Sequence, residues 1–432
     1  MQKPGDKVKV VTAEQTFEGT LMPNEETDAL VLKLTNGYNI GIDKKSIKKV
    51  QVLEAYKPNS SGSHPIKANP SLPTISILHT GGTIASKVDY QTGGVIARFE
   101  PEELLGNFPE LDGIANIKSR LVSRMFSEDI RFIHYQLMIK AIKEEIAQGV
   151  DGIILTHGTD TLGYSAAALA FAIENSPIPI LLVGAQRSSD RGSSDAAMNL
   201  ICAASFITKT DFSGVAICMH WNTDDRDAVI LPPCKTRKLH SSRRDAFRAV
   251  NDTPIAKVSY PTKQVTFLKK DYLKKDKARK PIIKDKFSEK VAIVKIHPNM
   301  VPKQFSFFKG YQGLVIEGTG LGHAPVGIPN EHCKIHGKIL KAIRELAKKG
   351  TVAVMTSQTI FGRVAMHVYS NAIALVNAGV IPGEDMLTET AFIKLSWLLG
   401  NYKDKGEVKK LIGANLRGEI NERLPLEKFP TE

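Results

Sequence analysis

Short apolar runs separated by turn residues fill the first 56 residues and indicate a small all-β unit. Asn36-Gly37, between the third and fourth runs, is a pair typical of a tight hairpin. Several short strands in so short a stretch predict a closed or nearly closed barrel over residues 1–56. The predicted strands are residues 7–11, 17–21, 30–34, 38–42 and 47–53.

Residues 57–73 interrupt this pattern. They are rich in Pro, Ser, Gly and Asn and show no apolar period, which is typical of a linker. The sequence therefore predicts a domain boundary here.

From residue 74 onward, apolar strands alternate with stretches of helical spacing, which predicts two α/β units with mainly parallel sheets. The first unit covers residues 74–262, with strands at 75–78, 153–155, 178–183 and 215–219 and helices at 130–148 and 164–173. The second covers residues 290–432, with strands at 291–296, 314–317 and 352–355 and helices at 337–348 and 387–399.

Residues 263–289 carry ten basic side chains between the two units. We expect an exposed basic connector. A solvated surface is the simpler interpretation, and contact with a polyanion is the alternative.

Composition adds only broad limits. The formal charge of +13 and pI near 9.3 permit contact with RNA, although a scattered lysine surface is the favoured explanation. Cys202, Cys218, Cys234 and Cys333 include no CxxC pair, so we expect free thiols in a reducing compartment and no metal site. No signal-peptide core and no apolar stretch of about 18 residues occurs, so we expect a cytoplasmic protein without a membrane span.

Candidate chemistry lies where two predicted strands end. Thr83 follows the first strand in a Gly-Gly-Thr turn, and Thr159 and Asp160 follow the second. Ligands of open α/β sheets bind beyond the carboxyl ends of the strands, and a hydroxyl beside a charged partner can become a nucleophile. His157 could suggest a serine-hydrolase-type triad, but the GxSxG elbow is missing and a structural histidine is the better interpretation.

Several segments resemble the signature blocks of bacterial-type L-asparaginases, in order, over about residues 74–400. They are HTGGTIAS at 79–86, LTHGTDTLGYSAAAL at 155–169, VGAQRSSDRGSSDAAMNL at 183–200, GLVIEGTGLGH at 313–323 and AGVIPGEDMLTETAFIKL at 378–395. The resemblance implies an amidohydrolase that acts through a threonine and needs no cofactor of its own.

By this resemblance, Thr83 is the primary nucleophile, and Tyr90, on a mobile loop at 87–94, activates it. Thr159 is the second threonine, with Asp160 and a lysine beside it. Alignment with the family places that lysine at Lys235.

Lys238 lies close to Lys235 in the sequence and is the alternative for the same role. Ser127 and Glu128 resemble the segment that holds the α-amino and α-carboxyl groups of the substrate.

The whole arrangement of barrel, linker and asparaginase-like body resembles the D subunits of archaeal glutamyl-tRNA(Gln) amidotransferases. The resemblance implies that the chain releases ammonia from glutamine or asparagine. It also implies a partner, the E subunit of such enzymes, that uses ATP and Mg to activate Glu-tRNA(Gln) and receives the ammonia. We expect a homodimer within a heterotetramer.

Two other functions compete with this one. A free-standing cytoplasmic L-asparaginase explains the body but not the barrel or the linker. A catalytically idle RNA-binding scaffold would not need to retain the threonines, and the barrel offers few aromatic side chains for base stacking, namely Phe17, Tyr38 and Tyr56.

Overall fold

Three sheets define the architecture of the chain. The computed structural model describes residues 3–22, 28–34, 39–55, 69–81, 86–88, 95–97, 109–187, 194–424 and 429. A five-stranded antiparallel sheet comes first, followed by an eight-stranded mixed sheet and a four-stranded parallel sheet. This is the predicted small barrel-like domain followed by an α/β body with two units.

The N-terminal sheet has the order β4-β3-β2-β1-β5. Its strands are β1 (Lys7–Thr12), β2 (Thr16–Leu21), β3 (Ala29–Leu34), β4 (Asn39–Asp43) and β5 (Ile47–Glu54). Alternate apolar side chains such as Val8, Val10 and Leu32 point inward and are fully buried, as expected for strands with one covered face. Asn36-Gly37 lies outside the described residues, whereas each predicted strand is found to within one residue at either end.

The first α/β unit is built on the eight-stranded sheet, with the order β18-β17-β14-β13-β12-β10-β6-β9. Five neighbouring strands are parallel and the three at one edge are antiparallel. The strands are β6 (Thr74–Gly81), β9 (Asn116–Met125), β10 (Gly152–Thr156), β12 (Pro179–Val183), β13 (Gly214–His220), β14 (Asp227–Leu231), β17 (Ala256–Ser259) and β18 (Val265–Phe267).

Short antiparallel pairs complete this part of the chain. They are β7 (Ser86–Val88) with β8 (Val95–Ala97), β11 (Ile173–Glu174) with β19 (Ile282–Ile283), and β15 (Thr236–Lys238) with β16 (Phe247–Ala249).

Helices cover both faces of the eight-stranded sheet. Helices α1 (Phe132–Ala147) and α2 (Leu162–Ala172) pack on one face, and α3 (Ala196–Lys209) packs on the other. Every residue of β10 and β12 is therefore buried, which explains why these strands are continuous apolar runs rather than alternating ones. Polar groups can then be placed only at the ends of the strands.

The second α/β unit is a parallel sheet in chain order. Its strands are β20 (Val291–Lys295), β21 (Gly313–Gly318), β22 (Val352–Ser357) and β23 (Val380–Pro382). One face packs on α4 (Lys303–Ser306), α5 (Lys334–Lys348) and α6 (Ser370–Asn377). The other packs on α7 (Thr388–Asn401) and α8 (Lys405–Ile412).

Helix α7 joins the two units, because its side chains enter the same apolar core as α2 and the first sheet. Trp397 stacks on Phe171 of α2, with the ring centroids 5.6 Å apart. The alanines of α2 let α7 approach closely, so the alanine-rich stretch is an internal packing element.

The predicted connector is exposed or half-buried throughout, as expected, but its boundary differs from the prediction. Its first residues belong to the first unit, because β18 is the edge strand beside β17, so the boundary predicted after residue 262 falls too early. Most of its basic side chains also have partners, which weakens the interpretation as a polyanion-binding surface. These contacts are Lys269–Asp252, Lys274–Asp211, Lys277–Asp151, Lys275 to the Ile207 carbonyl, Arg279 to the Ser176 carbonyl and Lys284 to the Tyr402 hydroxyl.

Deleting residues 1–68 should leave the body folded, because the buried core of the barrel contains no residue of the body. Deleting residues 1–73 should lower the free energy of unfolding by about 1–2 kcal/mol more. The longer deletion removes three hydrogen bonds of the Asn116 side chain, which accepts from the Asn69 N–H and donates to the Asn69 and Leu72 carbonyls. Urea titrations of the two truncated chains measure this difference. A body that does not fold without residues 1–68 would contradict the prediction that it folds independently of the barrel.

Candidate active site

The site forms where parallel strands of the first sheet end side by side. Strands β6 and β10 are neighbours, and β9 and β12 flank them. The segments that follow β6, β9 and β10 carry the predicted site residues of the body, apart from the lysine. The carboxyl edge of a parallel sheet is where such folds bind ligands.

A tight approach between β6 and β9 sets up the first loop. Gly81 has a φ of 97°, and a Cβ atom there would lie 2.4 Å from the Met125 carbonyl oxygen, so only glycine fits. The Thr80 hydroxyl donates to the Thr156 carbonyl at 2.8 Å and ties β6 to the end of β10. The Gly-Gly-Thr turn therefore begins at a fixed point.

Thr83 and Tyr90, the predicted nucleophile and its activator, lie outside the described residues. Tyr90 falls between β7 and β8, which pair as antiparallel strands. Part of the predicted loop at 87–94 is therefore strand, because Lys87 and Val88 belong to β7.

The second threonine lies in a chain of polar contacts. The Lys238 ammonium donates to Thr159 Oγ1 at 2.9 Å and to Asp160 Oδ1 at 2.8 Å. Thr159 and Lys238 are largely shielded from solvent, whereas Asp160 is exposed. Hydroxyl, amine and carboxylate are thus in direct contact, which is the arrangement needed to move a proton between the threonine and a base.

Lys235, the lysine assigned to this position by alignment, lies elsewhere. Its ammonium is completely buried and contacts Asp385 Oδ2 at 2.5 Å and the Asp385 carbonyl at 2.9 Å. Burial lowers the pKa of Lys235, and the Asp385 carboxylate opposes that shift. The prediction that Lys235 lies beside Thr159 was wrong, and Lys238 occupies that place.

The reason for this error is local. Lys235 follows the apolar run of β14 and two prolines, and the chain there is still inside the protein, between the two units. Lys238 lies three residues later, at the end of β15, and its side chain reaches the carboxyl ends of the parallel strands of the first sheet. Burial is expected directly after an apolar run, and this signal in the sequence could have distinguished Lys235 from Lys238.

Ser127 packs against the loop that carries Thr159. A Cβ atom at Gly158 would lie 2.7 Å from Ser127 Cβ, so the loop passes directly over this residue. The Ser127 carbonyl accepts from the Thr161 hydroxyl at 2.6 Å, and Ser127 is buried while Glu128 is exposed. The structure brings this turn to the threonine loop, and its role in binding the substrate stays a prediction.

His157 has the structural role expected of it. It is fully buried between the Gly158 carbonyl and the Ser165 hydroxyl, at 2.6 and 2.7 Å. Burial lowers its pKa to about 4, and it lowers the pKa of His79 on β6 to about 4 as well. Both rings are therefore neutral supports of the strand ends near neutral pH.

A cavity of about 260 Å³ opens beside the threonine and lysine. Thr159, Asp160 and Lys238 form one wall, and Tyr164 and Glu389 form another. Glu389 comes from α7, so the second unit contributes to this cavity. A larger cavity of about 470 Å³ lies at the opposite edge of the same sheet and contains none of the predicted site residues.

Two negative findings apply to the described part of the chain. It contains no group of three or more His, Cys, Asp or Glu side chains that could hold a metal ion. No helix in it is long and apolar enough to cross a bilayer.

Family models match nearly the whole chain. Residues 74–272 match the N-terminal asparaginase domain, and residues 290–412 match the glutaminase/asparaginase C-terminal domain. Residues 2–53 match the GatD N-terminal domain.

Solved structures resemble the body. The thermostable L-asparaginase of Thermococcus kodakarensis is 29% identical with a TM-score of 0.71, covering 81% of this chain and all of that one. A probable cytoplasmic L-asparaginase of Campylobacter jejuni is 26% identical with a TM-score of 0.64, covering 79% of this chain and 99% of that one. The fold and these matches define an asparaginase-type amidohydrolase.

Full-length relatives carry the barrel as well. The D subunit of glutamyl-tRNA(Gln) amidotransferase from Methanococcus maripaludis is 45% identical, covering 98% of this chain and 99% of the relative. The protein of the same name from Pyrococcus abyssi is 44% identical, covering 99% and 96%. The chain belongs to the family of glutamyl-tRNA(Gln) amidotransferase D subunits.

Replacing each lysine by Met separates the two roles. Lys238→Met should lower amide hydrolysis by about 10²-fold or more and leave the fold intact, because it removes the proton-transfer contact of Thr159. Lys235→Met should lower the free energy of unfolding by about 3–5 kcal/mol, because it leaves the Asp385 carboxylate buried without its cation. Ammonia assays and urea titrations of both variants test this, and the opposite pattern would return the catalytic role to Lys235.

Acid should destabilise the body through its buried histidines. The folded pKa of His157 is about 4 and the usual value is 6.5, so only the unfolded chain gains a proton between these limits. The free energy of unfolding is highest above pH 6.5 and falls as the pH drops toward 4. Between pH 7 and pH 5, His157 alone should lower it by about 2 kcal/mol. Urea titrations of wild type and His157→Gln at both pH values measure this contribution. Equal losses in the two proteins would show that His157 does not cause it.

Proposed function

We propose that this chain hydrolyses the side-chain amide of glutamine or asparagine and supplies the ammonia to a partner protein. The full-length match to the D-subunit relatives, barrel included, carries this proposal. The two L-asparaginase structures cover about four-fifths of this chain, a share that corresponds to the body without the barrel. A free-standing asparaginase would leave the barrel without a purpose.

In the chemistry that we propose, Thr83 attacks the carboxamide carbon and forms an acyl-enzyme. The C–N bond breaks, the nitrogen takes up a proton, and ammonia leaves. Water then hydrolyses the ester and regenerates the threonine. A covalent route suits an amide, because it divides one difficult substitution into two easier ones.

Thr159, Lys238 and Asp160 manage the protons in this scheme. Lys238 lies between the Thr159 hydroxyl and the Asp160 carboxylate at hydrogen-bonding distance from both. Lys238 is placed to exchange a proton with the Thr159 hydroxyl, and the Asp160 carboxylate stabilises its ammonium. Backbone N–H groups of the glycine-bearing loops are suited to stabilise the oxyanion, a contribution often worth about 3 kcal/mol per donor.

The remaining parts of the proposal concern the complex. The chain itself needs no cofactor, and ATP and Mg serve the partner, the E subunit, which activates Glu-tRNA(Gln). Two copies of each protein form a heterotetramer in the cytoplasm. Three buried free cysteines in the described residues support a reducing compartment.

Ammonia release should depend on the partner. An ammonia-supplying chain would waste glutamine if it hydrolysed it without an acceptor, so we expect closure of the Tyr90 loop only in the loaded complex. Adding partner and Glu-tRNA(Gln) should raise kcat more than it changes KM, and Tyr90→Phe should abolish the increase. Ammonia release by the chain alone, with the partner, and with partner and charged tRNA tests this. Full activity of the isolated chain, unchanged by either addition, would favour the free-standing asparaginase.

Removing the barrel should uncouple the two half-reactions. We expect deletion of residues 1–68 to lower formation of Gln-tRNA(Gln) more than basal release of ammonia, because the barrel has its own core and lies outside the catalytic body. Both activities are measured on the same preparation. An equal loss of both, in a body shown to be folded, would contradict a role for the barrel in the complex.

A further inference from the structure

Gln186 lies beside Thr159, and hydrogen bonds to Asp195 hold its backbone. Its loop follows β12, and the Asp195 carboxylate accepts from the Gln186 N–H at 3.1 Å and from the Arg187 N–H at 3.0 Å. Asp195 is fully buried, and Asn199 of α3 donates to it at 3.2 Å. The backbone at Gln186 is therefore fixed by both oxygens of the carboxylate.

Only one of the two hydrogen-bonding atoms of the Gln186 side chain has a partner among the described residues. Its Oε1 accepts from the Thr159 hydroxyl at 3.3 Å, and the Lys238 ammonium donates to the same hydroxyl. Its Nε2 is buried, and no acceptor lies within hydrogen-bonding distance of it among the residues that the structure describes. Buried amide donors are rarely left without a partner, because they lose their hydrogen bonds to water.

Free hydrogen-bonding capacity thus remains at both ends of this amide. Nε2 can donate, and Oε1, which has two lone pairs, can accept one more hydrogen bond besides that of Thr159. A primary carboxamide has the matching pair, an oxygen that accepts and an N–H that donates. A carboxylate offers acceptors alone and would place an oxygen against Oε1.

We propose that Gln186 is a specificity-determining residue that pairs with the carboxamide group of the amide donor. Nε2 donates to the carboxamide oxygen and Oε1 accepts from the carboxamide nitrogen, beside Thr159. This selects the amide substrate over the acid product. The inference rests on the proposed function, because it requires that an amide donor bind at this threonine.

Two substitutions separate this role from simple support of Thr159. Gln186→Glu keeps an oxygen that can accept from Thr159 but loses the donor, and Gln186→Met loses both. We expect each to raise the KM for glutamine about tenfold or more, and to reduce the preference for binding glutamine over glutamate. Gln148→Glu, at an exposed position at the end of α1, makes the same change away from the site and should match wild type.

The measurements are ammonia release by the complex with charged tRNA, and calorimetric binding of L-glutamine and L-glutamate. Unfolding temperatures confirm that the variants fold. A wild-type KM and an unchanged binding preference in Gln186→Glu would overturn the proposal and leave Gln186 as a support for Thr159. If wild type itself released no ammonia in the complex, the proposed function would fail. Equal glutamine binding by wild type and both variants would then overturn the role of Gln186 as well.

Discussion

Burial of the eight-stranded sheet on both faces is the constraint on which the site depends. Helices α1 and α2 cover one face and α3 covers the other, so β10 and β12 have no exposed residue. Hydroxyls and charges must therefore gather at the ends of the strands, and the parallel arrangement brings these ends to one edge. Thr159 follows β10 at this edge, where the Lys238 ammonium reaches it.

The two lysines show how the same side chain serves different purposes a short distance apart. Lys235 is buried with Asp385 and links the two units, whereas Lys238 lies at the cavity and contacts the threonine. A buried ion pair is costly to break, so Lys235 supports the geometry without touching the reacting groups. Lys235 therefore serves the fold, and Lys238 is placed to serve the chemistry proposed for Thr159.

Much of the fold could be predicted from the sequence, because hydrophobic period reports which face of a strand or helix is covered. It found the five barrel strands, both α/β units and the central helices. It set the end of the first unit too early, since the short strand β18 and its pairing with β17 are hidden among charged residues in the sequence. Motifs found Thr159 and Asp160 because they directly follow an apolar strand. They could not assign the lysine, since its contact joins Lys238 to Thr159, 79 positions away in the sequence.

Covalent catalysis by a threonine is the central claim, and trapping the acyl-enzyme tests it most directly. The complex with charged tRNA is mixed with glutamine, quenched with acid within the first turnover, digested and examined by mass spectrometry. We predict a glutamyl ester on the peptide that contains Thr83 and none on the peptide that contains Thr159. An adduct on the Thr159 peptide alone, or ammonia release without any adduct, would contradict the account.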